Sequence, residues 1–325
     1  MNTAVAAARA GLDTDATSIQ VVGVEVVAEG VVAVTLADPT GRRLPPWTPG
    51  SHIDVILPNG LVRQYSLCGD RWDAYTYRIA VLRETAGSGG SEWIHTQLAE
   101  GQILGFGGPR NHFHLVPAER YLFIAGGIGI TPLLPMIQQA DRLKIPWKLL
   151  YGGRWRRSMA FADELTDARG HVDLVPENEF GRPDIADWVG DIEKGTRVYC
   201  CGPAGLLDAA ERASANWLPH TLHTERFVNG AGRRADDRPF VVHLQRSGLD
   251  LPVAPGTSIL DAMAQAGVGV LSSCRQGTCG TCEVAVLAGR PDHRDSMLSE
   301  TDRDAGDCIL VCVSRAHTST LTLDA

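Results

Sequence analysis

The residues with the clearest chemistry are cysteines. Of eight in the chain, Cys274, Cys279, Cys282, Cys308 and Cys312 crowd the last fifth of its 325 residues. Cys274, Cys279 and Cys282 form a C-x4-C-x2-C run, and Cys312 follows after a further 29 residues. Thiolates at that spacing hold a two-iron, two-sulfur cluster. The intervening Arg275-Gln276-Gly277-Thr278 and Gly280-Thr281 are small and flexible enough for backbone N–H groups to turn toward the cluster sulfurs. Structural zinc favours two C-x2-C units, and only one such pair is present. Spacing leaves both Cys308 and Cys312 open as the fourth ligand, because both lie in or beside the apolar run Ile309-Leu310-Val311. Cys68 stands apart, and Cys200 and Cys201 read on chemistry alone as buried packing residues.

A second set of residues suits an anionic, planar ligand. Arg63-Gln64-Tyr65-Ser66-Leu67 closes a strand and offers a guanidinium for phosphate, an aromatic ring to stack and a hydroxyl for a ring nitrogen. Gly87-Ser88-Gly89-Gly90-Ser91 opens a helix, whose free N–H groups and dipole favour phosphate. Gly126-Gly127-Ile128-Gly129-Ile130-Thr131-Pro132 joins a strand to a helix, with glycines that let the backbone approach a pyrophosphate. Cys201-Gly202-Pro203 repeats that transition later. None of this is G-x-G-x-x-G, which disfavours a standard Rossmann dehydrogenase. Arg154, Arg156 and Arg157 follow the strand ending at Tyr151, where an arginine can favour a ribose 2′-phosphate.

These residues need elements to position them. Gln20–Ala28, Val31–Ala37, His52–Leu57, Leu61–Leu67 and Tyr75–Arg83 predict a small antiparallel barrel, with a helix over Glu92–Ala99. From about Pro117 the rhythm changes. Strands Tyr121–Ala125, Trp147–Tyr151, His171–Val175 and Arg197–Cys201 alternate with helices from Thr131, over Phe161–Leu165 and over Ala204–Ala213. That alternation predicts a parallel sheet with ligands at its carboxyl ends. A polar stretch, residues 229–237, reads as a linker. Strand Pro239–Gln245 and a capped helix after Thr257-Ser258 open the third segment.

Composition bounds the rest. With 44% hydrophobic and 21% charged residues the chain is globular, and a net charge of −8 argues against gripping nucleic acid or anionic lipid. YLFIAGGIGITPLLPMI is too short and too rich in glycine and proline for a membrane span. The N-terminal residues read as a loose tail and not a secretory signal. The expectation is a soluble, cytoplasmic protein in a reducing compartment.

RQYSL, GSGGS, GGIGITP, CCGP, HTERF and the cysteine motif, in that order, resemble the phthalate dioxygenase reductase family within the wider ferredoxin reductase-like superfamily. The resemblance covers nearly all of the chain after about residue 18. It implies a multidomain α/β and β fold: an antiparallel flavin-binding β-barrel (residues 18–117), a parallel-sheet nicotinamide-binding domain (118–228), the linker (229–237) and a C-terminal β-grasp, plant-type ferredoxin domain (238–325), after a flexible tail (1–17). By the same resemblance Arg63 and residues 88–91 (Ser88, Gly89, Gly90 and Ser91) hold the flavin phosphate. Tyr65 stacks on the flavin, with Gln64 and Leu67 beside it, and Ser66 lies near its reactive nitrogen. Gly126, Gly127, Gly129, Thr131, Cys201, Gly202 and Pro203 line the nicotinamide site, with Arg154 and Arg156 toward the adenosine end. Phe227 covers the other flavin face, with Glu225 close by. Cys312, in ILVCVSRA, becomes the fourth cluster ligand and Cys308 a packing residue.

The resemblance further implies FMN rather than FAD, and NADH with NADPH as the alternative. Electrons pass from nicotinamide through flavin and cluster to a terminal oxygenase of Rieske type, or else to a haem-thiolate monooxygenase. Other readings are a stand-alone flavin reductase and a non-enzymatic iron–sulfur redox sensor. A monomer is expected. Acidic residues Asp292, Asp295, Glu300, Asp302, Asp304 and Asp307 could steer a basic partner surface.

Overall fold

Val, Ile and Leu at every second position of the first segment build strands with one apolar face. The computed structural model describes residues 17–84, 89–165, 169–227, 234, 236–272, 274–278 and 280–325. Strands β1 (Thr17–Ala28), β2 (Val31–Ala37), β3 (Ser51–Ile56), β4 (Val62–Ser66), β5 (Thr76–Leu82) and β6 (Ile103–Asn111) form an antiparallel sheet in the order β4-β3-β6-β1-β2-β5. A bridge between Leu67 and Ile79 joins its two ends, and Ile19, Leu36, Ile53, Val55, Leu67, Ile79 and Phe106 fill the interior. Helix α1 (Gly90–Gln97) packs beside it through Ile94.

The second layer is a parallel sheet, β11-β10-β7-β8-β9, built from β7 (Arg120–Gly126), β8 (Trp147–Gly153), β9 (His171–Pro176), β10 (Thr196–Cys201) and β11 (Leu222–Glu225). A 3-10 turn (Gly127–Ile130) leads from β7 into α2 (Leu133–Leu143), and α3 (Glu177–Phe180), α4 (Ile185–Val189) and α5 (Ala204–Ala213) follow. β7 is almost wholly buried, and β8 buries Trp147, Leu149, Leu150 and Tyr151, as strands covered on both faces do. Barrel and parallel sheet together form one compact unit, Ala16–Arg226.

The other unit begins at Phe227. Its mixed sheet, β13-β12-β18-β14-β16, contains β12 (Phe240–Leu244), β13 (Leu249–Val253), β14 (Glu283–Ala288), β16 (Cys308–Leu310) and β18 (Thr320–Leu323). Helix α6 (Ile259–Gln265) lies across it, capped by Ser258, whose hydroxyl accepts from the N–H of Asp261. α7 (Glu300–Ala305) and the short pair β15 (Pro291–Asp292) and β17 (Arg315–Ala316) complete it. Arg294 is buried between Asp237 and Asp292, at 2.8 and 2.6 Å.

Two expectations change, on the helix at 161–165 and on the acidic surface. Phe161–Leu165 is not a helix: Phe161 has φ 61, outside the helical region, and its ring is buried beneath the Arg78 guanidinium. Residues 229–233 and 235 of the expected linker lie outside the described residues, and Asp237 ion-pairs with Arg294 of the second unit. The acidic surface shrinks, because Asp292 and Asp295 are buried and Asp302 caps α7 through Ser299. Among the described residues no helix is long and apolar enough to cross a membrane.

Candidate functional site

Arg63, Gln64, Tyr65 and Ser66 pair in register with Val55, Asp54, Ile53 and His52 of β3. Alternation therefore sends Arg63 and Tyr65 to one face and Gln64 and Ser66 to the other. Tyr65 packs against the barrel core, and burial raises its phenol above the ordinary range, so it presents a neutral ring. Arg63 lies against the start of α1, where a Cβ on Gly90 would stand 2.5 Å from its Nε. Gly89 caps that helix at φ 85, a conformation open mainly to glycine. A guanidinium and a helix N-terminus thus meet, which is the chemistry of a phosphate seat. Gly89, Gly90 and Ser91 are in place; Ser88 lies outside the described residues. Leu67 is part of the barrel core.

His52 is a residue the sequence reading missed. It lies opposite Ser66 on one side and Arg110 on the other, is buried, and leaves Nε2 without a hydrogen-bond partner. Burial, helped by the charges of Arg110 and His112, lowers its pKa to about 4, so the imidazole is neutral at pH 7. Only strand register brings His52 to Ser66. A histidine inside a hydrophobic strand was the available signal.

The two glycine turns of the parallel sheet interlock at the carboxyl ends of β7 and β10. A Cβ on Gly126 would lie 2.6 Å from Pro203 Cδ, one on Gly202 would lie 2.9 Å from Gly126 Cα, and one on Gly129 would fall on the Cys201 carbonyl. The Tyr151 hydroxyl braces the first turn from 3.1 Å of the Gly127 and Ala160 carbonyls, and Thr131 is buried with its hydroxyl donating to Ile128 O at 3.0 Å. Cys201 stands in register with Glu225 of β11. Burial, with the Glu225 carboxylate adding to it, pushes the Cys201 thiol far up. One Glu225 oxygen is buried without a partner, and burial raises the carboxyl to about 8, so it holds its proton at neutral pH. Phe227 opens the next unit and is half-buried. Of the arginines after β8, Arg156 is paired with Asp163 at 2.5 Å, and Arg157 is paired with Glu29 and stacked over Trp155. Arg154 is exposed and makes no side-chain hydrogen bond or ion pair among the described residues.

In the second unit the thiols of Cys282 and Cys312 hydrogen-bond each other, which lowers the pKa of Cys282 and raises that of Cys312, and the charge of Cys274 acts on both. Cys274 Sγ accepts from the N–H groups of Gln276 and Thr278 at 3.3 and 3.4 Å, and the Gly277 N–H bonds Cys312. Backbone donors turned toward sulfur are what a cluster site needs, so these residues fit a 2Fe–2S group. Cys279 lies outside the described residues, and without it no metal-holding group of three ligand side chains closes among them. Cys308 starts β16 opposite Ala285, and burial together with Glu283 and Asp307 raises its thiol to about 11.

The 2Fe-2S iron-sulfur cluster binding domain family matches residues 242–317. The phthalate 4,5-dioxygenase oxygenase reductase subunit of Pseudomonas putida is 39% identical over 96% of this chain and 98% of its own. The solved structure of phthalate dioxygenase reductase, described as a modular structure for electron transfer from pyridine nucleotides to [2Fe-2S], is 35% identical. It superposes with a TM-score of 0.77 over 96% of this chain and 98% of its own. An intact type IV self-sufficient cytochrome P450 monooxygenase is 44% identical over 95% of this chain with a TM-score of 0.81, and this chain spans 41% of its length. Flavin and nicotinamide binding come with that likeness, as does an oxygenase as the electron acceptor. With its barrel, parallel sheet and 2Fe–2S domain in the same order, the chain belongs to the phthalate dioxygenase reductase family, the NAD(P)H-dependent reductase components of oxygenase systems.

Proposed function

We propose that the chain takes electrons from NADH through FMN and a 2Fe–2S cluster to a terminal oxygenase of Rieske type. The observation that carries the flavin reading is Arg63 lying over Gly90 at the start of α1. A bound flavin takes two electrons together and releases them singly, and the cluster accepts one at a time. The protein positions and tunes. Arg63 with the N–H groups of residues 88–91 holds a terminal phosphate, which suits FMN. Tyr65 offers its ring, Gln64 and Ser66 their polar ends, and Phe227 covers the opposite face. The interlocked turns at Gly126, Gly127, Gly129, Thr131, Cys201, Gly202 and Pro203 receive the dinucleotide, and Glu225 holds a proton beside Cys201. Salt bridges engage Arg156 and Arg157, which leaves Arg154 to meet the adenosine end; NADH is taken from the family likeness, and that exposed guanidinium keeps NADPH as the alternative. Cys274, Cys279, Cys282 and Cys312 ligate the cluster. In this reading residues 18–117, 118–228 and 238–325 hold flavin, nicotinamide and cluster.

The test is an anaerobic NADH titration of the purified holoprotein, read by visible absorbance and electron paramagnetic resonance, with the extracted flavin separated by chromatography. Bleaching of a flavin band together with a reduced 2Fe–2S signal, and FMN in the extract, are expected. Flavin reduction over a cluster that stays oxidised would instead favour a self-contained flavin reductase. Properly folded, cofactor-replete protein without flavin would sink the reading. A haem-thiolate monooxygenase as acceptor is the second reading, favoured by the likeness to the self-sufficient P450. Side-by-side reduction rates of a Rieske oxygenase and a P450 separate the two.

A further inference from the structure

The second compact unit contains a polar cleft of about 490 Å3 between the C-terminal end of α7 and the β15–β17 pair. Arg290, Asp292, His293, Arg303, Asp304 and His317 stand on its walls. The His293 side chain is only 8% exposed, and both of its ring nitrogens are buried without a hydrogen-bond partner. The nearest carboxylate oxygen, Asp295 Oδ1, is 3.9 Å from Nδ1, too far for a hydrogen bond. The other oxygen of Asp295 is already engaged by the N–H groups of Met297 and Leu298, at 3.1 and 2.8 Å. Buried polar atoms of this kind are normally satisfied, so something from outside the chain belongs beside this ring.

The charges say which sign. Asp292 is held by Arg294 at 2.6 Å and also lies 3.7 Å from Arg234 and 3.8 Å from His317. Asp237 is taken by Arg294 at 2.8 Å, with Arg315 at 3.8 Å. These carboxylates are therefore covered. Arg290 is exposed, with no side-chain partner among the described residues. Counting the cleft and the ion pairs behind it, five arginines (234, 290, 294, 303 and 315) stand against four aspartates (237, 292, 295 and 304). The chain as a whole carries −8. We propose that this cleft binds a small oxyanion, a carboxylate or a phosphate, with His293 and Arg290 as its donors. Asp304, the exposed acid on the wall, sets a limit on the charge the site accepts.

Thermal unfolding of the holoprotein, followed by loss of the visible cluster bands, tests this in phosphate, acetate and chloride at equal ionic strength. An oxyanion near 100 mM is expected to raise the midpoint over chloride by about 5 °C, as an affinity near 1 mM gives. A larger rise in phosphate identifies a phosphate site, and a larger rise in acetate a carboxylate site. Arg290→Ala and His293→Gln should each remove the rise while NADH-to-ferricyanide activity stays unchanged. Because Arg290 is on the surface, its variant keeps the test clear of misfolding. Equal midpoints in all three salts, or a rise that survives Arg290→Ala, would overturn the proposal.

Discussion

Glu225 keeps its proton because β11 ends with the carboxyl buried beside Cys201 and one oxygen unpartnered. The unfolded chain ionises this group near 4.5, whereas the fold holds it neutral to about 8. The folded state therefore binds more protons across that window, and stability falls as pH rises through it. Urea midpoints of the wild type and Glu225→Gln should diverge from pH 5 to 8.5, with the variant the more stable at the alkaline end. Parallel midpoints would mean that this carboxyl is not buried in solution. His52 works in the opposite direction. Its pKa falls from 6.5 to about 4, so its contribution is intact above 6.5 and is lost as pH drops toward 4. His52→Asn should flatten that acid limb, again read by urea midpoints. Arg63, Tyr65, Ser66 and the cysteine run were legible because their chemistry lies in contiguous stretches of sequence. His52 was not, because only the pairing of β3 with β4 reveals its neighbour.

At the scale of elements, the interlocked turns give the sharpest test. Gly129 has no room for a methyl group because the Cys201 carbonyl occupies that space, and backbone cannot yield as a flexible side chain can. Gly129→Ala should push the two turns apart and raise the KM for NADH, while flavin content and the cluster spectrum persist. An unchanged KM would remove these turns from the nicotinamide site. Gly90→Ala meets only the flexible Arg63 side chain, so it should weaken flavin retention without destroying the fold; dialysis against salt measures that loss. The alternation of strands and helices made the parallel sheet readable, and α5 appears over the expected Ala204–Ala213. β6 escaped notice because Gly105, Gly107, Gly108 and Pro109 mask its alternation, although Leu104 and Phe106 point into the barrel core. Gly105 is needed there, since a Cβ would lie 2.9 Å from that of Ile56. The false helix at Phe161–Leu165 shows the converse. Phe161, Ala162 and Leu165 fall on one helical face, but tertiary packing of Phe161 under Arg78 took precedence over propensity.

For the whole molecule, the proposed flow runs from nicotinamide through flavin to cluster, and the two compact units make its last step separable from the first. The first unit, Ala16–Arg226, contains the proposed flavin and nicotinamide residues except Phe227, and the cluster cysteines all belong to the other. A change confined to the cluster should therefore leave flavin reduction alone. Cys279→Ser removes one proposed ligand without touching the barrel or the parallel sheet. NADH-to-ferricyanide activity should persist near the wild-type rate, because that small acceptor can draw electrons from the flavin directly. Delivery to an oxygenase protein should fall to background, since a protein acceptor depends on the cluster for single electrons. Electron paramagnetic resonance of the reduced variant supplies the control, with the 2Fe–2S signal lost. Undiminished delivery alongside that loss would mean that electrons leave from the flavin and that the second unit serves another purpose. Loss of both activities would place the fault in folding, which the flavin absorbance of the purified variant would expose.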